Sequence, residues 1–119
     1  MIHTEQLVDA VIEGLQDKKG QCITLVNLTQ IDDTICRYFV LCTAGSPSQS
    51  QALARSVDNK VLQAGGGHPA TVAGQHHSLW VALDYGDVMV HIFLPEERAF
   101  YDLEHLWADA QLTEIPSED

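Results

Sequence analysis

The sequence LWVALDYGDVMVHIFL, residues 79–94, decides the fold of this 119-residue chain. Its first part, residues 79–83, and its last part, residues 88–94, are apolar and rich in residue types that favour strands. Between them, residues 84–87 include Gly86, which can supply the positive φ of a tight turn. The stretch therefore predicts a β-hairpin.

The two faces of the predicted hairpin differ in composition. If Tyr85 and Gly86 form a two-residue loop, Leu83 pairs with Val88, and side chains alternate between the faces from there. One face is purely aliphatic and is expected to pack against helices. The other, called here the mixed face, carries Trp80, Ala82, Met89, His91 and Phe93.

Upstream of the hairpin, the sequence predicts a helix followed by a strand. Residues 4–18 carry apolar side chains at helical spacing, with polar residues on the opposite side. Thr4 can cap the start of this helix, and Gly20 can take the left-handed position after its end. Residues 22–28 are typical of a first strand.

A second strand and a second helix are predicted next. Residues 36–43 are almost continuously apolar, as in a strand that is covered on both faces in the middle of a sheet. Ser46 is a good N-cap, Pro47 suits the first helical position, and Gln49 completes a capping box. A helix therefore starts here, and the three glycines at 65–67 end it.

After the hairpin, Pro95 begins a last helical segment. Its apolar side consists of Phe100, Leu103, Leu106, Trp107 and Ala110. The domain is expected to span residues 1–110, and the short acidic tail, residues 111–119, to be frayed and flexible. Because helices and strands alternate, we predict a single α/β domain with a mixed β-sheet and flanking helices.

Charge limits the kind of partner. Seventeen acidic residues against six basic ones give a formal charge of -11, and the basic residues form no patch beyond Lys18 and Lys19. Since nucleic-acid binding depends on Lys and Arg at phosphates, direct nucleic-acid binding is disfavoured. An acidic surface speeds encounter with basic proteins, of which ribosomal proteins are a large class. Solubility alone is an equally open explanation of the charge.

Location and thiol chemistry follow from local composition. The amino end does not resemble a signal peptide, and no stretch approaches the ~18 apolar residues of a membrane span. The protein is therefore expected in the cytoplasm and away from membranes. Cys22, Cys36 and Cys42 lie in apolar runs, which predicts buried free thiols rather than disulfides or zinc ligands.

One turn has the pattern of an enzyme site. Gly45 and Ser46 lie between a predicted strand and a helix, like the phosphate-binding turn of nucleotidyltransferases. Such enzymes need carboxylates shortly afterward to hold a divalent metal, yet no acid follows until Asp58. A structural helix cap is therefore the favoured interpretation of this turn.

The histidines and cysteines provide weaker candidates. Adjacent strand residues point to opposite faces, so His76 and His77 cannot easily share a metal ion. A nucleophile with a neighbouring base is a further alternative, although nothing in the sequence brings such groups together. The metal candidates are His68, His76, His77 and His91, and the nucleophile candidates are Cys42 or Ser46 with His91 and Asp84. We expect no catalytic residue, metal or cofactor.

The hairpin and the segment after it resemble the ribosomal silencing factor (Iojap-like) family. The resemblance lies in residues 80–93, WVALDYGDVMVHIF, in residues 97–104, ERAFYDLE, and in Leu106-Trp107. Further matches are residues 17–19, DKK, and 38–43, YFVLCT, leading to Ser46 and Gln49. Cys36 and Ala73 depart from the pattern, because the family usually has Asp and Glu there.

This resemblance implies a nucleotidyltransferase-like fold without catalysis and a translational repressor. The implied partner is the large-subunit ribosomal protein L-fourteen, whose occupancy would block joining of the small and large subunits. Two alternatives stay open: a nucleotide-binding enzyme at the Gly45-Ser46 turn, and a homodimer through the hairpin when off the ribosome. The partner-binding surface that the resemblance implies comprises Trp80, Asp84, Tyr85, Asp87 and His91, with Arg98, Tyr101 and Glu104 as supports or rim.

Overall fold

A mixed β-sheet forms the centre of the molecule. The computed structural model describes residues 2–31, 34, 36–106 and 110–116. The elements are α1 Thr4–Asp17, β1 Gln21–Asn27, β2 Tyr38–Thr43, α2 Pro47–Gln63, β3 Thr71–Ala73, β4 Trp80–Asp84, β5 Val88–Phe93, α3 Pro95–Tyr101 and β6 Gln111–Glu114, with a 3-10 helix at Leu103–His105. Within these described residues, six strands lie in the order β3-β4-β5-β2-β1-β6. β2 and β5 are parallel and the other pairs antiparallel, which confirms the predicted α/β fold.

The aliphatic face of the hairpin lies under the first two helices, as predicted. Val81 and Leu83 of β4 and Val90 of β5 are buried there. Val11 of α1 and Val57 of α2 are fully buried against them in the same core cluster. This burial is the main stabilising contribution to the domain, since apolar area removed from water contributes about 25 cal/mol per Å².

The register of the hairpin differs from the sequence-based expectation by two residues. Leu83 pairs with Val90 instead of Val88, and Tyr85 N–H donates to the carbonyl of Val88. Gly86, with a φ of 89°, is therefore the first central residue of the turn. A shift of two residues keeps every side chain on its face, because side chains in a strand alternate with a period of two. The predicted faces are consequently right although the predicted pairs are wrong.

The first helix begins and ends differently from the prediction. His3, not Thr4, is its N-cap, and Gln6 accepts a hydrogen bond from the His3 backbone N–H. Lys19, not Gly20, has the left-handed conformation after the helix, with a φ of 62°. Gly20 is needed because it has no side chain: a Cβ at that position would collide with the sulfur of Cys42.

The second helix begins at the predicted capping residue. Ser46 Oγ accepts a hydrogen bond from the backbone N–H of Gln49 at 3.1 Å, and the helix ends before Gly65, whose φ is 96°. The predicted capping box does not form, because the Gln49 side chain makes its hydrogen bonds to other residues than Ser46. Its Oε1 accepts from the Gly45 N–H, and its Nε2 donates to the carbonyls of Lys18 and Lys19.

The last helix is shorter than predicted, and residues 111–114 of the tail form a strand. α3 ends at Tyr101 because Asp102 adopts a left-handed conformation, with a φ of 48°. Trp107, expected on this helix, lies outside the described residues. Gln111–Glu114, expected to be frayed, pairs with β1 as an edge strand, and the N–H of Ile115 donates to Ile23. Backbone pairing holds this strand, since all four of its residues are solvent-exposed.

The contact between α1 and α2 requires a glycine. A Cβ on Gly14 would lie 2.8 Å from the Cα of Val57 and 3.0 Å from the carbonyl oxygen of Ser56. We expect Gly14→Ala to lower the free energy of unfolding by about 2 kcal/mol, because the helices must separate. Urea unfolding followed by circular dichroism measures this change. Gly67→Ala is the control, since a Cβ there meets nothing within 4 Å, and equal stability losses in both variants would contradict the prediction.

Candidate partner-binding surface

The mixed face of the sheet is only partly open to solvent. Phe39 and Phe93 are buried in a second apolar cluster, with exposed fractions of 3% and 1%. Leu28, Leu103 and Ala110 come from the segments that cover the middle of this face. The centre of the mixed face is therefore covered by the chain itself and is not available to a partner. Its border along β4 stays accessible.

Trp80 and Tyr101 form this accessible border. Trp80 is half-buried, and its ring lies 5.0 Å from the ring of Phe93 and 4.4 Å from the ring of Tyr101. Tyr101 belongs to α3 and keeps 47% of its surface exposed. Close aromatic packing of this kind holds both rings in one orientation. Two of the predicted site residues are thus brought together here.

His91 is buried behind Trp80. The Trp80 indole N–H donates to Nδ1 of His91 at 3.0 Å, and the His91 ring lies edge-on to Phe39. A nitrogen that accepts carries no proton, so His91 is neutral with its proton on Nε2. Burial lowers the pKa of His91 to about 4. Since only 4% of His91 is exposed, it supports Trp80 from behind and does not form part of the outer surface.

His91 makes the stability of the domain depend on pH. The unfolded chain binds a proton at the ordinary histidine pKa near 6.5, whereas the folded chain binds it only near 4. The stabilising contribution is therefore complete above pH 6.5 and is lost as the pH falls towards 4. We expect the wild-type protein to lose about 2 kcal/mol more than His91→Gln between pH 7 and pH 4.5. Urea unfolding at the two values measures the difference.

The exposed His76 provides the control for this prediction. His76→Gln removes a histidine from the surface and shows whether the change in pH dependence is specific to the buried His91. A His91→Gln variant that loses as much stability as the wild type on acidification would contradict the assignment of a buried neutral imidazole.

The tip of the hairpin contacts the helices α1 and α2 and does not belong to the mixed face. The Tyr85 hydroxyl donates to Oδ1 of Asp58 in α2 at 3.2 Å, and Thr4 in α1 donates to Oδ2 of Asp87 at 2.8 Å. Burial and the neighbouring Asp58 charge raise the pKa of Tyr85. Asp84 accepts from the N–H of Gly86, which stabilises the turn. The structure thus separates Tyr85 and Asp87 from Trp80 and His91.

Arg98 attaches α3 to the sheet. Its guanidinium donates to Glu104 at 2.9 Å, to the carbonyl of Cys22 at 2.6 Å, and to the hydroxyls of Thr24 and Thr43 at 2.9 Å each. Arg98 and Glu104 expose only 12% and 22% of their side chains. No residue of α3 itself is buried, so this cluster of hydrogen bonds and the packing of Tyr101 on Trp80 hold the helix against the sheet. Arg98 and Glu104 are supports of the surface.

Sequence reasoning did not identify the partners that hold these residues. Asp58 lies 27 positions from Tyr85, and Thr24 lies 74 positions from Arg98. No local spacing connects such pairs. The polar residue Thr24 within an apolar strand was the available signal, because a buried hydroxyl requires a hydrogen-bond partner.

The other candidate sites are occupied by structural contacts. The N–H of Gly45 and the hydroxyl of Ser46 both bond to Gln49, as in a helix cap. Burial raises the pKa of Cys42 to about 12 and that of Cys36 to about 11, which keeps both thiols protonated. Cys22 is exposed, contrary to the expectation of a buried thiol. In the part of the chain that the structure describes, no three His, Cys, Asp or Glu side chains converge as a metal site.

Comparison with known proteins assigns the chain to a family. The family model "Ribosomal silencing factor during starvation" matches residues 1–119. The chain belongs to the ribosomal silencing factor family. The family relative RsfS of Halalkalibacterium halodurans is 35% identical over 111 residues, which cover 93% of each chain. Among solved structures, a Chromobacterium violaceum protein superposes with a TM-score of 0.84 at 30% identity, covering 98% of this chain and 95% of that one.

A more distant relative of this silencing factor domain carries a different name. "Mitochondrial assembly of ribosomal large subunit protein 1" of mouse is 37% identical over 51 residues, covering 40% of this chain and 22% of the mouse protein. Membership of the ribosomal silencing factor family implies a ribosome-associated role in the regulation of translation. Among the described residues, no helix is long and apolar enough to span a membrane.

Proposed function

We propose that this chain is a translational repressor that binds the large ribosomal subunit through the basic ribosomal protein L-fourteen. Bound there, it blocks joining of the small subunit sterically and stoichiometrically, without catalysing a reaction. The observation that carries the proposal is family membership over the whole chain. The name of the mouse relative supports the large subunit as the partner.

The charge of the chain agrees with a basic partner. A formal charge of -11 favours encounter with a cationic protein surface and disfavours contact with the phosphates of ribosomal RNA. Since electrostatic attraction between exposed charges is screened by salt, binding should weaken as ionic strength rises. We place this encounter in the cytoplasm, where ribosomal subunits join.

The structure suggests separate roles for the predicted contact residues. Trp80 and Tyr101 are accessible and rigidly packed against each other, so we propose them as direct contacts. Tyr85 and Asp87 form a second accessible point at the hairpin tip. His91 orients Trp80, whereas Arg98 and Glu104 orient α3.

Co-sedimentation with purified large subunits tests the proposed function. We expect the protein to pellet with large subunits and not with small subunits, and less of it to pellet at raised salt. In a light-scattering assay, we expect one equivalent per large subunit to prevent the signal of subunit joining. A protein that binds neither subunit, or that binds large subunits without slowing their joining, would contradict the proposal.

A further inference from the structure

A groove lies between α3 and the edge of the sheet at β3 and β4. Its volume is about 390 Å³. The residues that line it are Ala73, Gly74, His77, Leu79, Trp80, Ala82, Glu97 and Tyr101. We call it the aromatic groove, because Trp80 and Tyr101 form its floor and one wall. The sequence comparison with the family pointed to the hairpin, and it did not identify this groove.

The aromatic groove continues into an exposed ring on α3. Phe100 is 80% exposed, and its ring lies edge-on to that of Tyr101 at 5.1 Å. Leu79, on the other side, is 38% exposed. Phe100 thus contacts Tyr101, Tyr101 contacts Trp80, and Leu79 lines the same groove. Clustered exposed aromatic residues with little freedom to move are typical of the central anchors of protein interfaces.

The charges around the groove are negative. Glu97 lines it, and the exposed Glu96 precedes Glu97 on α3. The single cation of α3, Arg98, makes four hydrogen bonds within the protein. No Lys or Arg is among the described residues that line the groove. Among the described lining residues, the groove therefore offers the carboxylate of Glu97 to a partner.

This charge pattern distinguishes two possible partners for the groove, a second copy of the chain and a basic protein. A second copy of the chain would bring a second negatively charged molecule against this one, because each copy carries a formal charge of -11. Like charges across an interface oppose association, whereas a cationic protein surface relieves the repulsion. A basic protein is therefore the favoured occupant.

We infer that the aromatic groove receives an apolar side chain of the basic partner protein, with Glu97 pairing to a neighbouring Lys or Arg of that partner. This inference rests on the proposed function, and it extends the contact from Trp80 and Tyr101 to the other residues of the groove. Phe100 and Leu79 are then direct contacts, although neither was predicted as one.

Two leucines of equal exposure provide a matched test. Leu79 in the groove is 38% exposed and Leu62 on α2 is 39% exposed, so each loses a comparable apolar surface on truncation to alanine. We expect Leu79→Ala to weaken binding to purified large subunits about fivefold and Leu62→Ala to leave it unchanged. Phe100→Ala should weaken binding about thirtyfold, as expected for an aromatic anchor. Because Phe100 is mostly exposed, this variant is expected to fold normally.

The role of charge is tested separately with Glu97. Glu97→Lys should weaken binding at least tenfold at low salt and reduce its dependence on salt, whereas the exposed Asp9→Lys on α1 should change neither by more than about twofold. Circular dichroism and thermal unfolding check that both variants are folded.

The possible outcomes distinguish the inference from the proposed function. If the wild-type protein binds large subunits and Leu79→Ala, Phe100→Ala and Glu97→Lys bind equally well, the groove is not the binding site, while the proposed function stands. If the wild-type protein does not bind large subunits, both are overturned. If Phe100→Ala instead abolishes a dimer in sedimentation equilibrium and leaves subunit binding intact, the occupant is a second copy and the inference is wrong.

Discussion

Trp80→Ala should weaken binding to the large ribosomal subunit about thirtyfold or more, equivalent to ~2 kcal/mol. The indole lines the aromatic groove and is held by Phe93, Tyr101 and the hydrogen bond to His91. Its loss removes the anchor and also releases Tyr101. Equilibrium binding to purified large subunits, measured at two salt concentrations, gives the change.

Tyr85 provides the comparison for this experiment. Tyr85→Phe deletes only the hydroxyl that donates to Asp58, and Tyr85→Ala deletes the ring at the hairpin tip. We expect Tyr85→Ala to weaken binding less than Trp80→Ala does. If Trp80→Ala and Tyr85→Ala both bind like the wild-type protein while remaining folded, the proposed surface is wrong.

Replacing Arg98 should detach α3 from the sheet. Arg98→Met removes four hydrogen bonds and leaves the carboxylate of Glu104, whose side chain is 22% exposed, without its partner. We expect the free energy of unfolding to fall by about 3 kcal/mol, because breaking a largely buried ion pair leaves an uncompensated charge. Hydrogen exchange should show the N–H of Asp102, which donates to the Arg98 carbonyl, becoming less protected.

Lys60 is the matched control for Arg98. Lys60 forms ion pairs with Glu13 and Asp17, and all three side chains are substantially exposed to water. Exposed ion pairs contribute little to stability, so Lys60→Met should leave the midpoint of urea unfolding nearly unchanged. An Arg98→Met variant as stable as Lys60→Met would show that α3 is held by other contacts.

Predictions from the sequence succeeded where the signal was local and periodic. The hairpin between residues 79 and 94, its aliphatic face and the cap at Ser46 are as expected. The register was wrong by two residues, because both pairings bury the same side chains and only turn geometry separates them. The end of α3 was wrong as well, since Asp102 takes a left-handed conformation that the surrounding apolar spacing does not indicate.

The structure groups the predicted site residues differently from the sequence-based expectation. Trp80, His91 and Tyr101 do come together, whereas Tyr85 and Asp87 contact the helices. Alternation along a strand indicates a face, but it does not show which other segment covers that face. The Leu103 segment covers the centre of the mixed face and leaves only its border open.

The sequence by itself determined the strands and helices, the faces of the hairpin, the negative charge and the family, because each depends on neighbouring residues or on composition. Only the tertiary structure decided that His91 supports Trp80 and that Arg98 places α3 beside β4 to form a groove. The physical reason is distance along the chain: hydrogen bonds such as that of Arg98 to Cys22, 76 positions apart, arise from packing and leave no periodic pattern in the sequence.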